Sequence, residues 1–183
     1  DGLYASYYFL GFAYQNKRDY AKAAENFSKY LDKAPGGPEA SDMIAAATRN
    51  GGIAYARANQ FEQAIALLNK AVDTKPNDLE VQFYLGMSQL KTGNSDLAES
   101  HFVKATQLQP NFDTAWYYAG HIAYGKEDFS NAKTRLEKYL ELKPDGPHAA
   151  DAHYILGPIA IRAGSQTTAK SHLRTALELK PNS

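Results

Sequence analysis

The sequence predicts an all-α fold built from five repeated helix hairpins. Apolar residues recur at three- and four-residue steps in paired segments, as between Leu79 and Phe112, where two helical patterns flank Thr92-Gly93-Asn94. A central glycine recurs along the chain with spacings of 41, 34, 34 and 37 residues, at Gly11, Gly52, Gly86, Gly120 and Gly157. Self-similarity at such a period is typical of stacked helical repeats.

Three further positions repeat in register with the glycine. Twelve residues after it comes an alanine, four later a large apolar residue, and eight later a proline, as in Ala23, Phe27 and Pro35. Small residues let the two helices of a hairpin approach closely, and the large residue fills the adjacent space. Because proline cannot continue a helix, it ends each repeat. Gly93 and Gly164 suit the left-handed residue of the tight turn inside a hairpin.

This pattern resembles the tetratricopeptide repeat family over nearly the whole chain. Repeat one carries the family motif at Tyr7, Leu10, Gly11, Tyr14, Ala23, Phe27 and Pro35. Repeat four supplies Trp116, whereas repeat two has Thr48 and Gly51 where the family has Trp and Leu. The resemblance implies a right-handed superhelical solenoid of antiparallel hairpins. The first helix of each hairpin (helix A) would line its concave side and the second (helix B) its convex side.

We expect one array over residues 1–183, with repeats at approximately 4–37, 45–78, 79–112, 113–146 and 150–183 and insertions at 38–44 and 147–149. The array starts and stops at repeat boundaries without polar caps, which indicates a fragment of a longer protein. A second proline in each insertion, Pro38 or Pro147, suits a first helical turn. Helices A of repeats two and five are therefore expected to be extended at their N-termini. Helix B of repeat five is expected to expose Leu173 and Leu177 where a further helix A would stack.

Ligand contacts are predicted on the helix-A stripe, the positions −6, −3, −2, +1, +4 and +5 from each repeat glycine, which share one side of the helix. Aromatic rings on it make contacts at low entropic cost, and Arg49 and Asn50 would hold polar groups of a ligand backbone. The predicted contacts are Tyr8, Phe12, Arg49, Asn50, Tyr84, Tyr117, Tyr118, His121 and Tyr154. The alternative is that these rings pack between adjacent helices A, and that His121 is a partly buried structural residue.

Composition and spacing exclude several function classes. Lys plus Arg and Asp plus Glu both number 20, and this zero net charge argues against a nucleic-acid platform. Without cysteine there are no disulfides, thiolate catalysis or Cys-based zinc sites. The five histidines lack the four-residue spacing of helical metal ligands, and no phosphate loop occurs. We expect no cofactor, no catalysis and no membrane insertion, while the compartment stays open between cytoplasm and bacterial periplasm.

The sequence therefore predicts a non-catalytic protein–protein interaction scaffold that binds a peptide or protein segment in an aromatic-rich concave groove. One alternative is a self-assembly module that forms homo-oligomers through exposed repeat ends. Another alternative is a regulatory domain of a larger protein. By resemblance, that larger protein would be a bacterial envelope or secretion protein. The carboxylate clamp of chaperone-binding tetratricopeptide domains is not expected. Among the positions of this chain that match the clamp, only Asn50 has the residue type that the clamp uses. The others are Tyr8, Phe12, Glu80 and Tyr84.

Overall fold

A computed structural model describes residues 3–37 and 40–180. The described residues form ten α-helices, which confirms the predicted all-α class. The helices are α1 (Leu3–Asn16), α2 (Tyr20–Lys33), α3 (Ser41–Arg57), α4 (Phe61–Thr74), α5 (Leu79–Lys91), α6 (Ser95–Leu108), α7 (Asp113–Gly125), α8 (Phe129–Leu142), α9 (Ala149–Arg162) and α10 (Gln166–Leu179). Odd-numbered helices are helices A and even-numbered helices are helices B.

The repeat glycines lie where the two helices of a hairpin touch. A Cβ atom added at four of them would lie 2.7–2.8 Å from the large apolar side chain sixteen positions later. These pairs are Gly11 with Phe27, Gly52 with Leu68, Gly120 with Leu136, and Gly157 with Leu173. Since real Cβ contacts are not this short, the absence of a side chain at these glycines sets the spacing between helix A and helix B. The role predicted for the glycine from its spacing is confirmed.

The turn inside each hairpin contains one residue with a left-handed backbone. Gly93 and Gly164 have φ values of 84° and 75°, as predicted. The equivalent turns of repeats one, two and four place Arg18, Asn59 and Glu127 in the same region, with φ between 59° and 60°. Left-handed backbone is unfavourable for residues with a Cβ, so three of the five turns form without the residue that best suits them.

Contacts between Cα atoms divide the chain into two compact units, Asp1–His101 (unit 1) and Phe102–Ser183 (unit 2). The core of unit 1 is built around buried side chains such as Phe27, Leu68 and Leu85. The core of unit 2 is built around Leu136 and Leu156. Helices α2, α4 and α8 each pack against the helix A before and the helix A after them, so their apolar faces are covered on two sides.

The two insertions form different structures. Helix α3 has 17 residues, which confirms the extension of helix A in repeat two, while the predicted start near Pro38 lies outside the described residues. The predicted extension in repeat five is wrong, because α9 begins at Ala149 and has 14 residues. The insertion instead lengthens a turn that is bound to α8, where the His148 backbone N–H donates to the Tyr139 hydroxyl over 3.0 Å. That hydroxyl lies 2.5 Å from where Gly146 would place a Cβ, so the turn needs glycine there.

Candidate functional site

The helix-A stripe is carried by α1, α3 and α5 in unit 1 and by α7 and α9 in unit 2. In unit 1, α3 packs against both α1 and α5, and in unit 2, α7 packs against α9. Each unit therefore presents its own surface of adjacent helices A, on which the predicted contacts are distributed.

The aromatic residues of α1 divide into supporting rings and one exposed ring. Tyr8 and Phe12 are half-buried. Their ring centroids lie 5.0 Å apart, and Phe12 lies 5.0 Å from the fully buried Phe27 in an edge-to-face arrangement that stabilises aromatic pairs. Phe9, on the same stripe, is 64% exposed and packs edge-on against Tyr8. The most exposed ring of α1 is therefore Phe9, which was not among the predicted contacts.

Arg49 and Asn50 are engaged within unit 1. The Arg49 guanidinium donates from Nε to Asp78 over 2.7 Å and from one terminal nitrogen to Glu80 over 2.5 Å. Burial opposes the ionised form of Asp78, but hydrogen bonds from Arg49 and from the backbone of Val81 outweigh it and lower the Asp78 pKa. Asn50 donates to the backbone carbonyl of α3 four residues earlier and accepts from Arg49. These two side chains connect α3 to the start of α5.

Tyr84, another predicted contact, is half-buried and holds an arginine that the prediction missed. Its hydroxyl accepts from Nε of Arg57 over 2.7 Å, and the Tyr20 hydroxyl accepts from a terminal nitrogen of the same guanidinium over 2.6 Å. The guanidinium carbon lies 5.0 Å and 5.2 Å from the Tyr20 and Tyr84 ring centroids, within cation–π range. Arg57 occupies the +5 position of the stripe, so the stripe itself was the signal that pointed to it.

In unit 2, Tyr117 and Tyr118 are packed more tightly than the stripe predicted. Tyr117 is 7% exposed, and its ring stacks on the His148 ring with centroids 4.0 Å apart and planes 7° apart. Burial, together with the Asp151 carboxylate, raises the pKa of the Tyr117 hydroxyl to about 12. Tyr118 is half-buried and stacks on Phe102 at 5.1 Å. Most of the surface of these two rings is therefore covered by packing, which was the alternative to ligand contact.

His121 and Tyr154 lie open on the same unit. His121 is exposed, with its ring 5.8 Å from that of Tyr117. Tyr154 is 66% exposed and borders a cavity of about 580 Å³ between α9 and α10, together with Leu173 and Leu177. Of the contacts predicted in unit 2, the Tyr154 ring and the His121 imidazole are therefore the exposed ones, whereas Tyr117 and Tyr118 are covered by stacked aromatic side chains.

Clustered metal ligands and membrane-spanning helices are both absent from the part of the chain that the structure describes. No group of three or more His, Cys, Asp or Glu side chains converges there as metal ligands would. Among the helices of residues 3–37 and 40–180, none combines the length and apolar character needed to cross a membrane.

A protein-family model described as Tetratricopeptide repeat matches residues 49–112 and 117–183, and a second model with the same description matches residues 4–35. The chain belongs to the tetratricopeptide repeat family. Helices A of its tetratricopeptide repeats carry the stripe, and Phe9, Arg57 and Tyr154 are the stripe residues that the geometry leaves most accessible or best oriented.

Two curated relatives share about half of this tetratricopeptide chain. Protein O-mannosyl-transferase TMTC1 of Homo sapiens is 30% identical over 95 residues, and anaphase-promoting complex subunit CDC16 of Saccharomyces cerevisiae is 31% identical over 91 residues. Each match covers 50% of this chain but only 11% of the relative. The likeness therefore concerns the repeats and not the whole of either relative.

Solved structures show the same fold at lower identity. A crystal structure of MamA has a TM-score of 0.79 with 20% identity, covering 98% of this chain and 93% of that chain. The crystal structure of YrrB, described as a TPR protein with an unusual peptide-binding site, has a TM-score of 0.78 with 19% identity, covering 96% of this chain and 86% of that chain. These likenesses establish the tetratricopeptide fold of the chain.

Proposed function

We propose that this chain is a non-catalytic interaction module that binds a peptide or protein segment on its helix-A stripe. The observation that carries the proposal is that the helix-A stripe of unit 1 presents both an exposed ring, Phe9, and an oriented guanidinium, Arg57. Aromatic residues and arginine dominate binding energy at protein interfaces. The solved relative YrrB, described by its peptide-binding site, supports the same class of function.

Selection from a phage-displayed peptide library against the intact chain tests this proposal. Enriched peptides are expected to bind with an affinity that Phe9→Ala weakens about fivefold or more, because a buried aromatic contact contributes over about 1 kcal/mol. Leu97→Ala is the matched control, since Leu97 is also an exposed apolar side chain of unit 1, at 53%, but lies on helix B. Fluorescence polarisation with a labelled peptide measures both. Failure to enrich any peptide, or equal losses in the two variants, would contradict the proposal.

A second candidate, self-association, is favoured by two uncovered apolar surfaces. Helix α1 has no charged residue and exposes Leu3 at 74% and Leu10 at 42%. The cavity between α9 and α10 exposes Leu177 at 63%. The equivalent cavity beside α3 and α4 is lined in part by Val81 of the following helix A, α5, and by Asp78, the residue that caps that helix. We propose that α1 of a second copy would occupy the α9–α10 cavity in the same way.

Mixing two single variants tests this association. Leu10→Glu and Leu177→Glu each place a buried charge in the proposed contact, so each is expected to be monomeric by sedimentation velocity while the parent chain associates with rising concentration. An equimolar mixture is expected to form a one-to-one dimer, because each variant keeps the surface that the other has lost. Circular dichroism confirms that both remain helical. A monomeric parent chain, or a mixture that stays monomeric, would exclude this second candidate.

A further inference from the structure

Arg57 is held in one orientation by groups that leave its charge uncompensated. Two tyrosine hydroxyls accept from it, at Nε and at one terminal nitrogen, and both rings flank the guanidinium. Tyrosine hydroxyls are neutral at physiological pH. Among the residues that the structure describes, the groups that act on the Arg57 guanidinium are the two tyrosines and no carboxylate pairs with it, and its side chain is exposed on the stripe.

Arg49 provides the contrast within the same unit. It sits on the same helix and the same stripe, but Asp78 and Glu80 both accept from it, so two carboxylates already balance its charge. Unit 1 therefore contains one arginine that is neutralised by the fold and one that is positioned without a counter-charge. Only the second combines several free N–H donors with a charge that no carboxylate balances.

We infer that Arg57 binds a carboxylate of the bound segment, either an Asp or Glu side chain or a C-terminal carboxylate. This inference rests on the proposed peptide-binding function. A guanidinium has five N–H donors, and the two tyrosines take two of them, which leaves the second terminal nitrogen facing no described acceptor. Carboxylate oxygens match the spacing of guanidinium donors, and hydrogen bonds between two ionised groups are about twice as strong as neutral ones.

The fixed orientation of the Arg57 side chain favours a carboxylate ligand for two further reasons. An arginine that is already ordered loses little side-chain entropy on binding, whereas a free one must be immobilised when the ligand binds. A single positive charge is balanced by a single negative charge, so a carboxylate suits Arg57 better than a phosphate group, which is usually met by several arginines.

Paired peptides provide the test. Each peptide enriched on the intact chain is synthesised with its acidic side chains, with Asp→Asn or Glu→Gln replacements, and with either a free or an amidated C-terminus. Against the parent chain, the peptide that lacks the critical carboxylate is expected to bind about tenfold more weakly, as expected for a charged hydrogen bond. The two kinds of replacement show whether a side chain or the C-terminus supplies it.

Variants of the protein complete a double-mutant cycle. Arg57→Gln is expected to weaken the acidic peptide about tenfold, and the amide peptide should bind this variant no more weakly than it binds the parent chain. Arg57→Lys keeps the charge but loses the planar fork, so it is expected to recover only part of the affinity. Arg174→Gln removes the same formal charge from an exposed position on α10 and should change neither affinity. Urea denaturation of each variant reports whether the loss of the tyrosine contacts affects folding.

The outcomes separate the inference from the function on which it rests. If peptides bind and Phe9→Ala weakens them, but amide replacement has no effect on the parent chain, the proposed function stands and the role of Arg57 is refuted. If amide replacement weakens binding equally in the parent chain and in Arg57→Gln, another residue receives the carboxylate and the inference is also refuted. If no peptide is enriched, both proposals fail.

Discussion

Replacing Gly52 with alanine is expected to lower the free energy of unfolding by about 1–3 kcal/mol. The added Cβ would lie 2.7 Å from Cδ2 and 2.8 Å from Cγ of Leu68, and 3.2 Å from the Leu68 backbone nitrogen. The side chain can rotate only by disturbing a core in which Leu68 is fully buried, and the backbone contact requires α3 and α4 to move apart. Urea denaturation followed by circular dichroism measures the loss.

Gly125 supplies the control for this substitution. It is the last residue of α7, and a Cβ added there would meet no atom within 4 Å. Gly125→Ala is expected to leave stability unchanged or raise it by up to about 1 kcal/mol, because alanine is the better helix former. On a Leu68→Ala background, Gly52→Ala should lose much of its effect, since the colliding atoms are gone. Equal losses at Gly52 and Gly125 would show that close approach of the helices is not the cause.

Stability is expected to fall as the pH is lowered from about 7, and the pair of His153 and His172 should contribute strongly. Their Nδ1 atoms lie 2.8 Å apart, a distance that accommodates one proton between them but not two facing N–H groups. Burial lowers the pKa of both, and for His153 the neighbouring His172 lowers it further. On α8, Glu137 acts to raise the His172 pKa and Lys133 to lower it.

The direction follows from proton uptake by each state. Unfolded histidines bind protons below about pH 6.5, whereas these folded ones do so only at lower pH. The unfolded state therefore holds more protons in that interval, and the folded state loses stability until its own histidines titrate. Burial also lowers the pKa of His101 and His148, so they act in the same direction. The slope per histidine cannot exceed about 1.4 kcal/mol per pH unit, and solvent screening of the half-exposed pair keeps it below that ceiling.

His153→Gln isolates the contribution of the pair. Repeat three already holds Gln82 and His101 at the equivalent positions, with Gln82 Oε1 2.7 Å from His101 Nδ1. The variant copies a pair that this fold accommodates, so it should fold normally at pH 8 and lose less stability between pH 7 and pH 5.5. Urea denaturation at half-unit pH intervals gives the two slopes. Parallel curves for the parent chain and the variant would show that the two imidazoles do not share a proton.

Local rules allowed much of the fold to be predicted from the sequence. The glycine and the residue sixteen positions later are fixed by one short-range contact that hairpins one, two, four and five share, so periodicity alone located it. The left-handed turns at Gly93 and Gly164 follow from the same kind of local requirement. The longer turn before α9 did not follow, because it depends on the hydroxyl of Tyr139, which no propensity of Pro147 or its neighbours reveals.

The candidate site was predictable as a surface but not as a set of contacts. The stripe indicates which side of helix A a residue occupies, and it contained Phe9 and Arg57, whose side chains are exposed. It does not show which residue of the next repeat will approach. Two partners were missed for this reason. Arg49 forms an ion pair with Asp78, which lies 29 positions later in the chain, and the His148 ring covers Tyr117. Packing between repeats determines such partners, and the spacing of residues within one repeat does not reveal them.

The Arg57 side chain, which contacts both Tyr20 and Tyr84, has a consequence for how unit 1 unfolds. In an ideal linear array, each junction between repeats opens with its own free energy, and the total is a simple sum. Here one side chain belongs to two junctions at once, because Tyr20, Arg57 and Tyr84 lie in repeats one, two and three. Opening either junction removes one of the two groups that orient Arg57 and weakens its contact at the other, so the opening of these two junctions should be coupled.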